Sequence, residues 1–590
     1  MKKRWIGRGN IDFNKVNADA AQFNISPQFA AILQLRGIDY EDVVNPGRTV
    51  YDSHLFKDMD KGLDIIEKAI KDGKTICTVN DYDVDGDTSG EIMKEGIGVC
   101  GGKVFILTPS RKVDGYGISR RIVEKAKEMG AEVIITTDNG IAAFDSISLA
   151  KELGMTVVIT DHHEVPKDNE GNEILPPADA IIDAKQKDCN YPFRDICGAQ
   201  VAFKFIVLLF QRFGIDRDTA ERYIRRFLEL AAVGTVCDVM PLVGENRALV
   251  KAGLELLKSS QIMGFRQLMK VKNIEPSKIT AYNIGFGIGP CMNAMSRLND
   301  DTDTVLEFLS ERDYIKAEAL AKKLDEVNEN RKSVQVNTLL QAKQIMTLEG
   351  ERQINFLYLP NANPSILGIV AGNVRELTGH PTVCLTGGDK GIMTGSGRST
   401  ENYNMFEMFS KHKDLFAKFG GHASAIGISI PEENLSKVIT LINNDAKDYD
   451  FAVTTVIDLA IAMNMVTEQF VNDINTLEPF GEGNPAPVLC DCTSTLTGLS
   501  RMGSDNQYIR MNFRDNNGKR FNAAFFGDAD SFDKYIAQVN GDSTLNALYK
   551  KEAEIDLDVI YSPSFNYWNG QRSISCSVKD YRIRGQQDVG

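Results

Sequence analysis

Short apolar runs alternate with segments of helical periodicity between residue 60 and about residue 240. The runs are rich in β-branched residues and bounded by turn signals, which is typical of buried strands. The segments 122–130 and 146–154 between them have helical periodicity and end in glycine. This alternation predicts a doubly wound parallel sheet. The predicted strands are TICTV (75–79), KVFILTP (103–109), EVIITTD (132–138), TVVITD (156–161) and AIIDA (180–184).

The pattern changes further along the chain. Residues 200–345 are mainly helical, and 314–346 contain neither glycine nor proline, which predicts one long helix between domains. Strand and helix alternate again over 353–430, and short alternating strands with turn signals begin near residue 488, as in a small antiparallel barrel. We therefore expect an α/β protein with these parts: a helical lead-in (1–47), a catalytic domain (48–313), a connecting helix (314–346), a smaller α/β domain (347–450), and a linker with a nucleic-acid-binding β-barrel (451–590).

Composition limits the class of protein. The ten cysteines are scattered singly apart from Cys490 and Cys492 and have no C-x-x-C spacing, so we expect reduced thiols in a cytoplasmic protein. No apolar run reaches about 18 residues, which argues against a membrane span. The net charge of −14 argues against a non-specific nucleic-acid coat, but a carboxylate metal site is itself acidic.

The stretch TICTVNDYDVDGDTSGEI (75–92) places aspartates at alternate positions 81, 83, 85 and 87. An EF-hand is one interpretation, but its twelfth position should be glutamate. Counted from Asp81, that position is Ile92, and Glu91 lies one place early. A strand also precedes the run where an EF-hand has a helix. The favoured interpretation is a set of carboxylates at the carboxyl end of a strand, followed by a helix from about Ser89.

Acidic and imidazole side chains end several predicted strands. Each alone is more often a helix cap or incidental, but the carboxyl ends of parallel strands share one rim, where these groups would repel one another without cations. Oxygen ligands with one or two imidazoles suit Mn²⁺ or Mg²⁺, and two such ions about 3.5–4 Å apart polarise a phosphoryl group and lower the pKa of a bridging water. The residues concerned are Asp81, Asp83, Asp85, Asp138, Asp161, His162, His163 and, in the apolar run 228–242, Asp238.

Four motifs together resemble the signature motifs of the DHH phosphoesterases: DYDVDG (81–86), TTDNG (136–140), TDHHE (160–164) and GTVCDVMPL (234–242). GSGRS (395–399) and FGGHASAIG (419–427) resemble the accessory DHHA1 domain. Three further segments resemble the RecJ branch of that superfamily, namely SRKVDGYGIS (110–119), PCMNAMSR (290–297) and LEPFGEGNPAPV (477–488). The resemblance covers roughly residues 48–590.

The resemblance implies a two-metal 5′-to-3′ exonuclease that degrades single-stranded DNA to 5′-mononucleotides in DNA repair or recombination. The implied metal ligands, for two Mn²⁺ or Mg²⁺ ions, are Asp81, Asp83 and Asp138 for one ion and Asp85, Asp138, His162 and Asp238 for the other. Catalysis would involve Asp138, His162 and His163, with His163 on the scissile phosphate and Asp161 orienting the imidazoles. The implied substrate-binding residues, in part a pocket for the 5′ phosphate, are Arg111, Arg297, Ser396, Arg398 and His422.

The tail resembles an oligonucleotide-binding (OB) fold, with Tyr508, Phe513, Trp568 and Arg572 as candidates for contacts with bases, although alternating aromatics there are more often core residues. The chain departs from the family at Asp183, Ala184, Cys291, Ser296 and Asn363, none of which is an implied metal ligand. The expected partners are single-stranded DNA with a 5′ end and a single-stranded-DNA-binding protein or helicase, with no membrane and a monomeric chain. Two alternatives stay open: a DHH phosphoesterase for short oligonucleotides or cyclic dinucleotides, and a catalytically dead single-strand-binding scaffold.

Overall fold

A computed structural model describes residues 3–168, 170–350, 352–388, 391–568 and 571–585. The amino-terminal segment contains a strand in addition to the predicted helices. Its elements are β1 (Lys3–Gly7), α1 (Phe13–Phe23), α2 (Pro27–Arg36) and α3 (Tyr40–Val44). No helix in the described part of the chain is both long enough and apolar enough to cross a membrane.

The first large domain is built on a five-stranded parallel sheet. Its elements are α4 (Met59–Lys71), β2 (Thr75–Asn80), α5 (Val84–Val99), β3 (Lys103–Leu107), α6 (Arg120–Glu128), β4 (Val133–Thr137), α7 (Phe144–Glu152), β5 (Thr156–Thr160) and β6 (Ala180–Ile182). The strand order is β3-β2-β4-β5-β6, and every pairing is parallel. One face packs against α4 and α5 and the other against α6 and α7. The doubly wound sheet predicted from the alternating pattern is therefore confirmed.

The predicted start of the helix after β2 is wrong. Helix α5 begins at Val84 and not near Ser89. The Asp83 carboxylate accepts hydrogen bonds from the backbone N–H groups of Asp85 and Gly86, both at 3.1 Å, and so caps the helix five residues earlier than expected. The aspartate run thus ends a strand and begins a helix, which excludes the helix–loop–helix of an EF-hand.

A mainly helical region follows the sheet. Its elements are α8 (Gly198–Phe213), α9 (Arg217–Cys237), α10 (Gly244–Leu257), α11 (Met263–Val271), α12 (Ala281–Asn283), α13 (Gly289–Ala294), α14 (Asp303–Ser310) and α15 (Tyr314–Glu349). Helices α12 and α13 belong to one continuous helix over 281–299, because π-helical turns fill Ile284–Ile288 and Met295–Asn299. Helix α15 has 36 residues and extends three residues beyond the predicted end. Its apolar positions join the cores of both large domains, as a connecting helix requires.

The second domain contains a mixed five-stranded sheet in the order β10-β11-β9-β8-β7. Only β7 and β8 run parallel within it. Its elements are β7 (Asn355–Tyr358), α16 (Leu367–Thr378), β8 (Thr382–Thr386), β9 (Ile392–Arg398), α17 (Met405–Ser410), β10 (Lys418–His422), β11 (Ala425–Pro431) and α18 (Leu435–Asp445).

The carboxyl-terminal part is a β-barrel, as predicted, but it is not wholly antiparallel. Pairing of β18 with β19 closes the sheet, and β17 with β19 is a parallel pair. Two helices, α20 and α21, also interrupt the strands. The elements are β12 (Val453–Ile457), β13 (Leu459–Ala460), α19 (Glu468–Asn475), β14 (Leu489–Asp491), β15 (Thr495–Met502), β16 (Tyr508–Arg514), β17 (Arg520–Phe525), α20 (Ala529–Asn540), α21 (Asp542–Lys550), β18 (Ile555–Trp568) and β19 (Gln571–Ile583).

The amino-terminal segment packs against this barrel. Strand β1 pairs in parallel with β12, and α2 shares a hydrophobic core with α19 and the barrel. The guanidinium of Arg36 forms two hydrogen bonds with the buried carboxylate of Asp458, at 2.9 and 2.7 Å. A purely helical lead-in was therefore an incomplete prediction, because β1 is stabilised by a partner strand about 450 residues away.

Candidate metal centre and phosphate pocket

The carboxyl end of β2 presents Asp81, Asp83 and Asp85 within one tight turn into α5. Gly86 permits this turn, because a Cβ atom there would lie 2.3 Å from the carbonyl oxygen of Asp81. Asp81 and Asp85 are buried, and Asp83 is partly buried. The chain thus packs several carboxylates against one another at a strand end, an arrangement that needs compensating positive charge.

The amino terminus of α8 supplies part of that compensation to Asp85. The Asp85 carboxylate accepts hydrogen bonds from the backbone N–H groups of Gly198, at 2.7 Å, and Ala199, at 2.9 Å. These N–H groups lie at the positive end of the helix dipole. Gly234 allows the close approach of α9, since a Cβ atom there would lie 2.7 Å from Asp85 Oδ1. Asp85 is therefore held rigidly between two helices.

Asp138 and His162 meet at the ends of the neighbouring strands β4 and β5. Asp138 adopts a left-handed backbone conformation with φ of 63°, which turns the chain directly after the strand. His162 Nε2 lies 3.0 Å from Asp138 Oδ1, 3.6 Å from Asp238 Oδ2 and 3.8 Å from Asp85 Oδ2. The imidazole therefore faces three carboxylates that come from different parts of the chain.

Asp238 terminates α9, and Val239 after it has φ of 57°. The Oδ2 atom of Asp238 is buried but has no hydrogen-bond partner among the described residues. A buried carboxylate oxygen without a donor is costly, and a missing ion is one recognised explanation. This atom points to a cation as its partner.

Three overlapping groups of side chains bring ligand atoms within 4.8 Å of one another. Asp138 belongs to two of the groups, and so does His162. The groups are Asp81–Asp83–Asp138, Asp85–His162–Asp238 and Asp138–His162–His163. All six residues predicted as metal ligands are thus gathered at one rim. The donor set of carboxylate oxygens with imidazole nitrogen fits Mn²⁺ or Mg²⁺ better than structural zinc.

Burial and mutual repulsion dominate the electrostatics of the rim. Burial, followed by the charge of neighbouring aspartates, raises the pKa of Asp81, Asp138 and Asp238 well above the usual range. Carboxylates with such pKa values are poorly tolerated as bare anions at neutral pH. Divalent cations would stabilise the ionised forms, because the positive charge that the protein supplies at this rim does not balance its carboxylates.

His163 is held by two partners behind the rim. Its Nδ1 lies 2.8 Å from Asp161 Oδ1, and the Tyr116 hydroxyl lies 3.0 Å from the ring nitrogens. Burial disfavours the charged forms of both Asp161 and His163, but the attraction between the two charges outweighs the effect of burial. The pKa of Asp161 falls to about 2 and that of His163 rises to about 9. Burial and the nearby His163 lower the pKa of His162 to about 4, which leaves it neutral, as a metal ligand must be.

The role of Tyr116 was not predicted, although the segment that contains it was singled out. Its hydroxyl donates a hydrogen bond to the Asp138 backbone carbonyl at 3.0 Å as well as contacting His163. Gly115 and Gly117 on either side both have positive φ. Two glycines flanking an aromatic residue were the available sequence signal for a special loop conformation.

Arg111 and Arg297 lie next to the metal rim. The Arg111 guanidinium lies 4.9 Å from the ring centre of Tyr82, the residue between Asp81 and Asp83. Arg297 donates a hydrogen bond to the backbone carbonyl of Ser365, at 3.3 Å, and so connects the two large domains. Burial and the neighbouring Arg111 lower the pKa of Arg297 to about 10. Two cations held close together favour an anionic ligand.

Ser396, Arg398 and His422 lie on the sheet of the second domain. Arg398 donates a hydrogen bond to Ser396 Oγ at 3.0 Å. Its guanidinium is also close to Gly368, where a Cβ atom would lie 2.5 Å from Nη2. His422 is exposed at the end of β10, with Nδ1 3.0 Å from Ser424 Oγ. No described carboxylate forms an ion pair with the three candidate arginines 111, 297 and 398.

Other sequence candidates have structural roles. Phe513 is fully buried in the barrel core, so its predicted contact with bases is wrong. Tyr508 packs edge-on against Phe526, and Arg572 lies over Phe565 and pairs with Glu468. The Trp568 side chain lies outside the described residues. The departures from the family also fill local needs: Asn363 accepts a hydrogen bond from the Ser365 N–H at 2.9 Å, and Cys291 and Ser296 are buried.

Fold and site together define a metal-dependent phosphoesterase of the DHH type. Family profiles match residues 75–235 as the DHH family, N-terminal domain, residues 352–448 as the DHHA1 domain, and residues 457–580 as the RecJ OB domain.

Curated relatives and a solved structure are more specific. The single-stranded-DNA-specific exonuclease RecJ of Bacillus subtilis is 30% identical over 99% of this chain and 71% of its own. That of Salmonella typhimurium is 33% identical over 64% of this chain and 67% of its own. A crystal structure of RecJ in complex with Mn²⁺ from Thermus thermophilus superposes with a TM-score of 0.81 at 25% identity, covering 100% of this chain and 80% of that one. This chain belongs to the RecJ family.

Proposed function

We propose that this protein is a metal-dependent exonuclease that degrades single-stranded DNA from the 5′ end to 5′-mononucleotides. Membership of the RecJ family and the three OB, DHH and DHHA1 matches support the substrate and the reaction class. The single observation that carries the proposal is the set of three overlapping ligand groups, in which Asp138 and His162 each belong to two.

Two Mn²⁺ or Mg²⁺ ions would be held at the rim. Asp138 is shared between the two sets, and its distance of 3.0 Å from His162 supports that role. Asp238 Oδ2, which has no hydrogen-bond partner among the described residues, would be satisfied by the second ion. When bound, such ions polarise the scissile phosphate and lower the pKa of the attacking water. The proposed ligands for one ion are Asp81, Asp83 and Asp138. For the other they are Asp85, His162 and Asp238, joined by Asp138 through its close approach to His162.

His163 would donate a hydrogen bond to an oxygen of the scissile phosphate. The Asp161 carboxylate keeps its ring protonated at neutral pH, since the pKa is raised to about 9. Tyr116 fixes the ring from the other side. A charged donor held in place by two partners stabilises the negative charge that develops on the phosphate oxygens without reorganisation.

The 5′ phosphate would bind between the two domains. Arg111 and Arg297 approach from the rim, and Ser396 and Arg398 from the second domain. No carboxylate among the described residues pairs with the guanidiniums of these three arginines, so part of their positive charge is available to a phosphate. His422 and Arg398 both pair with Ala425, from opposite sides of β11, so they lie in one row across the sheet, and His422 would face the same strand of DNA. A pocket for a terminal phosphate gives the enzyme its 5′ polarity.

The barrel and the protein partners complete the proposal. The OB domain would hold the strand that enters the site. We propose that the chain works as a monomer in the cytoplasm, on single strands presented by a single-stranded-DNA-binding protein or a helicase during repair or recombination. The ten free cysteines support a reducing compartment.

The test compares substrates under Mn²⁺. We expect turnover of a 5′-phosphorylated single strand of 20 nucleotides to exceed that of the same sequence as a blunt duplex, and the dinucleotide to be a poor substrate. Asp138→Ala is the matched inactive control. Preference for the dinucleotide would favour a small-nucleotide phosphoesterase, and tight binding without turnover would favour a scaffold.

A further inference from the structure

Two aromatic side chains on the catalytic domain are left exposed as a stacked pair. Tyr282 and Phe286 are 68% and 70% exposed, with ring centroids 4.7 Å apart and planes inclined by 28°. The sequence motifs do not include this pair. An exposed, preformed stack of two rings has a large apolar surface with no partner in the described chain, which is a typical feature of a binding site.

The helix that carries the pair also runs along the whole active site. Gly289 packs against Cys237, directly before Asp238, because a Cβ atom there would lie 2.4 Å from Cys237 Sγ. One turn later, Asn293 Oδ1 accepts a hydrogen bond from the Val84 N–H, next to Asp83, at 3.3 Å. Arg297, in the proposed phosphate pocket, comes one turn after that. Phe286 and Arg297 therefore lie at opposite ends of this helix, and its contacts next to Asp83 and Asp238 lie between them.

The residues on either side of Phe286 are unusual for a helix. Glycines 285 and 287 flank it inside a helix, where each glycine is destabilising relative to alanine. Packing does not require Gly285, because an added Cβ atom would make only ordinary contact, at 3.6 Å, with Val236. The π-helical turn Ile284–Ile288 also contains Phe286, and such turns occur frequently at functional sites.

We propose that Tyr282 and Phe286 form a stacking platform for a base of the DNA strand on the 3′ side of the cleaved bond. This inference rests on the proposed function, because it takes the 5′ phosphate to lie at Arg297. A strand that starts there and passes the metal rim continues along the helix towards Phe286. Bases stack on aromatic side chains irrespective of sequence, which suits an enzyme that degrades any single strand.

The geometry sets the length of strand that reaches the platform. Phe286 and Arg297 are eleven positions apart in the sequence, which corresponds to about 16.5 Å at an α-helical rise of about 1.5 Å per residue. Stacked nucleotides advance about 3.4 Å each along a strand, and extended ones advance more. We therefore expect the platform to be reached by about the fifth nucleotide or sooner.

The experiment measures affinity against strand length. Binding of 5′-phosphorylated oligonucleotides of two to twelve nucleotides is followed by fluorescence anisotropy in chelator, and degradation of the same strands is followed in Mn²⁺. The variant is Tyr282→Ala/Phe286→Ala, and the matched control is Phe13→Ala, a ring 69% exposed on α1. Phe286→Trp keeps a stacking surface and should retain affinity.

We expect the double variant to bind strands of six or more nucleotides about 5- to 150-fold more weakly, the range measured for loss of one stacked base. Dinucleotide turnover should stay unchanged, and products of long strands should show more frequent release of intermediates. Equal affinity of variant and parent at every length would overturn the inference while leaving the exonuclease activity intact. Equal loss at every length, or loss only of binding to a single-stranded-DNA-binding protein, would also overturn it. No degradation of any strand by the parent would instead contradict the proposed function.

Discussion

His162 Nε2 lies 3.0 Å from Asp138 Oδ1, although the two residues are 24 positions apart in the sequence. Sheet register creates this contact, since Thr137 and Thr160, the last residues of β4 and β5, are directly paired. Asp138 is the first residue after β4 and His162 the second residue after β5, so the paired strand ends bring the two side chains to the same point. A shift of one residue in either strand would break the contact, which makes the parallel sheet itself part of the metal centre.

Replacing Asp138 should abolish catalysis without unfolding the protein. Asp138→Ala removes the carboxylate shared by two ligand groups, so we expect turnover of single-stranded DNA to fall by more than the roughly 10–100-fold typical of losing a residue behind a metal ligand. The measurement is the initial rate in Mn²⁺, with circular dichroism as the check of folding. A folded variant that retains activity within tenfold of the parent would refute the shared role.

Metal binding should stabilise the folded protein. The carboxylates of the rim have raised pKa values because of burial and mutual repulsion, and cations would relieve both effects. A ligand at 100 times its dissociation constant stabilises by about 2.7 kcal/mol, so Mn²⁺ should raise the thermal midpoint by several degrees. Asp138→Ala should respond much less. An unchanged midpoint in the parent at millimolar Mn²⁺ would contradict the predicted site.

The hydroxyl of Tyr116 should matter for the rate more than for binding. Tyr116→Phe keeps the ring but loses the hydrogen bonds to His163 and to the Asp138 carbonyl. We expect kcat to fall about tenfold, as for a lost hydrogen bond of about 1.4 kcal/mol, with KM little changed. Tyr358→Phe, on a ring 40% exposed in the second domain, is the control. Full activity in Tyr116→Phe would remove Tyr116 from the mechanism.

Arg297 should provide the preference for a 5′ phosphate. Arg297→Ala should reduce kcat/KM on a 5′-phosphorylated strand by about 10–150-fold, since hydrogen bonds to charged groups contribute about 1.5–3 kcal/mol. The same strand with a 5′ hydroxyl should be much less affected. Arg312→Ala, whose side chain is 79% exposed, serves as the matched control. An equal loss on the phosphorylated and the hydroxyl-ended strand would mean that Arg297 only holds the two domains together, through its hydrogen bond to Ser365.

The ion pair between Arg36 and Asp458 should hold the amino-terminal segment on the barrel. Burial raises the pKa of Asp458, but Arg36 outweighs burial and the net shift is downwards. A lowered folded pKa means that this stabilisation is present above the unfolded pKa and is lost as pH falls through the folded value. Asp458→Asn should destabilise by about 3–5 kcal/mol and flatten the pH dependence below about pH 5. Urea unfolding at several pH values measures both effects, and a variant as stable as the parent at pH 7 would contradict them.

The pattern of apolar runs ending in acidic or imidazole residues was sufficient to predict the metal rim. Contacts that leave no such local pattern in the sequence were not predictable. Asp81, Asp138 and His162 each follow a short apolar run, and one rule about parallel sheets brings them together. The start of α5 was mispredicted because Ser89 resembles a cap, whereas its hydroxyl bonds to the Gly86 carbonyl inside the helix. Strand β1 was missed because only β12, far along the chain, completes it. Two aromatic residues four positions apart, such as Tyr282 and Phe286, look the same in a sequence whether their side of the helix is buried or exposed. Only the packing of the folded chain shows that this pair is exposed.

The most direct test of the central claim uses a long single-stranded DNA with a 5′ phosphate and a 3′ fluorophore. The parent and Asp138→Ala are incubated with it in Mn²⁺, and the parent also in Ca²⁺. We expect a labelled ladder that shortens progressively from the 5′ end, only in Mn²⁺ and only with the parent. Immediate release of the short labelled 3′ end, or an intact strand with the parent in Mn²⁺, would contradict it.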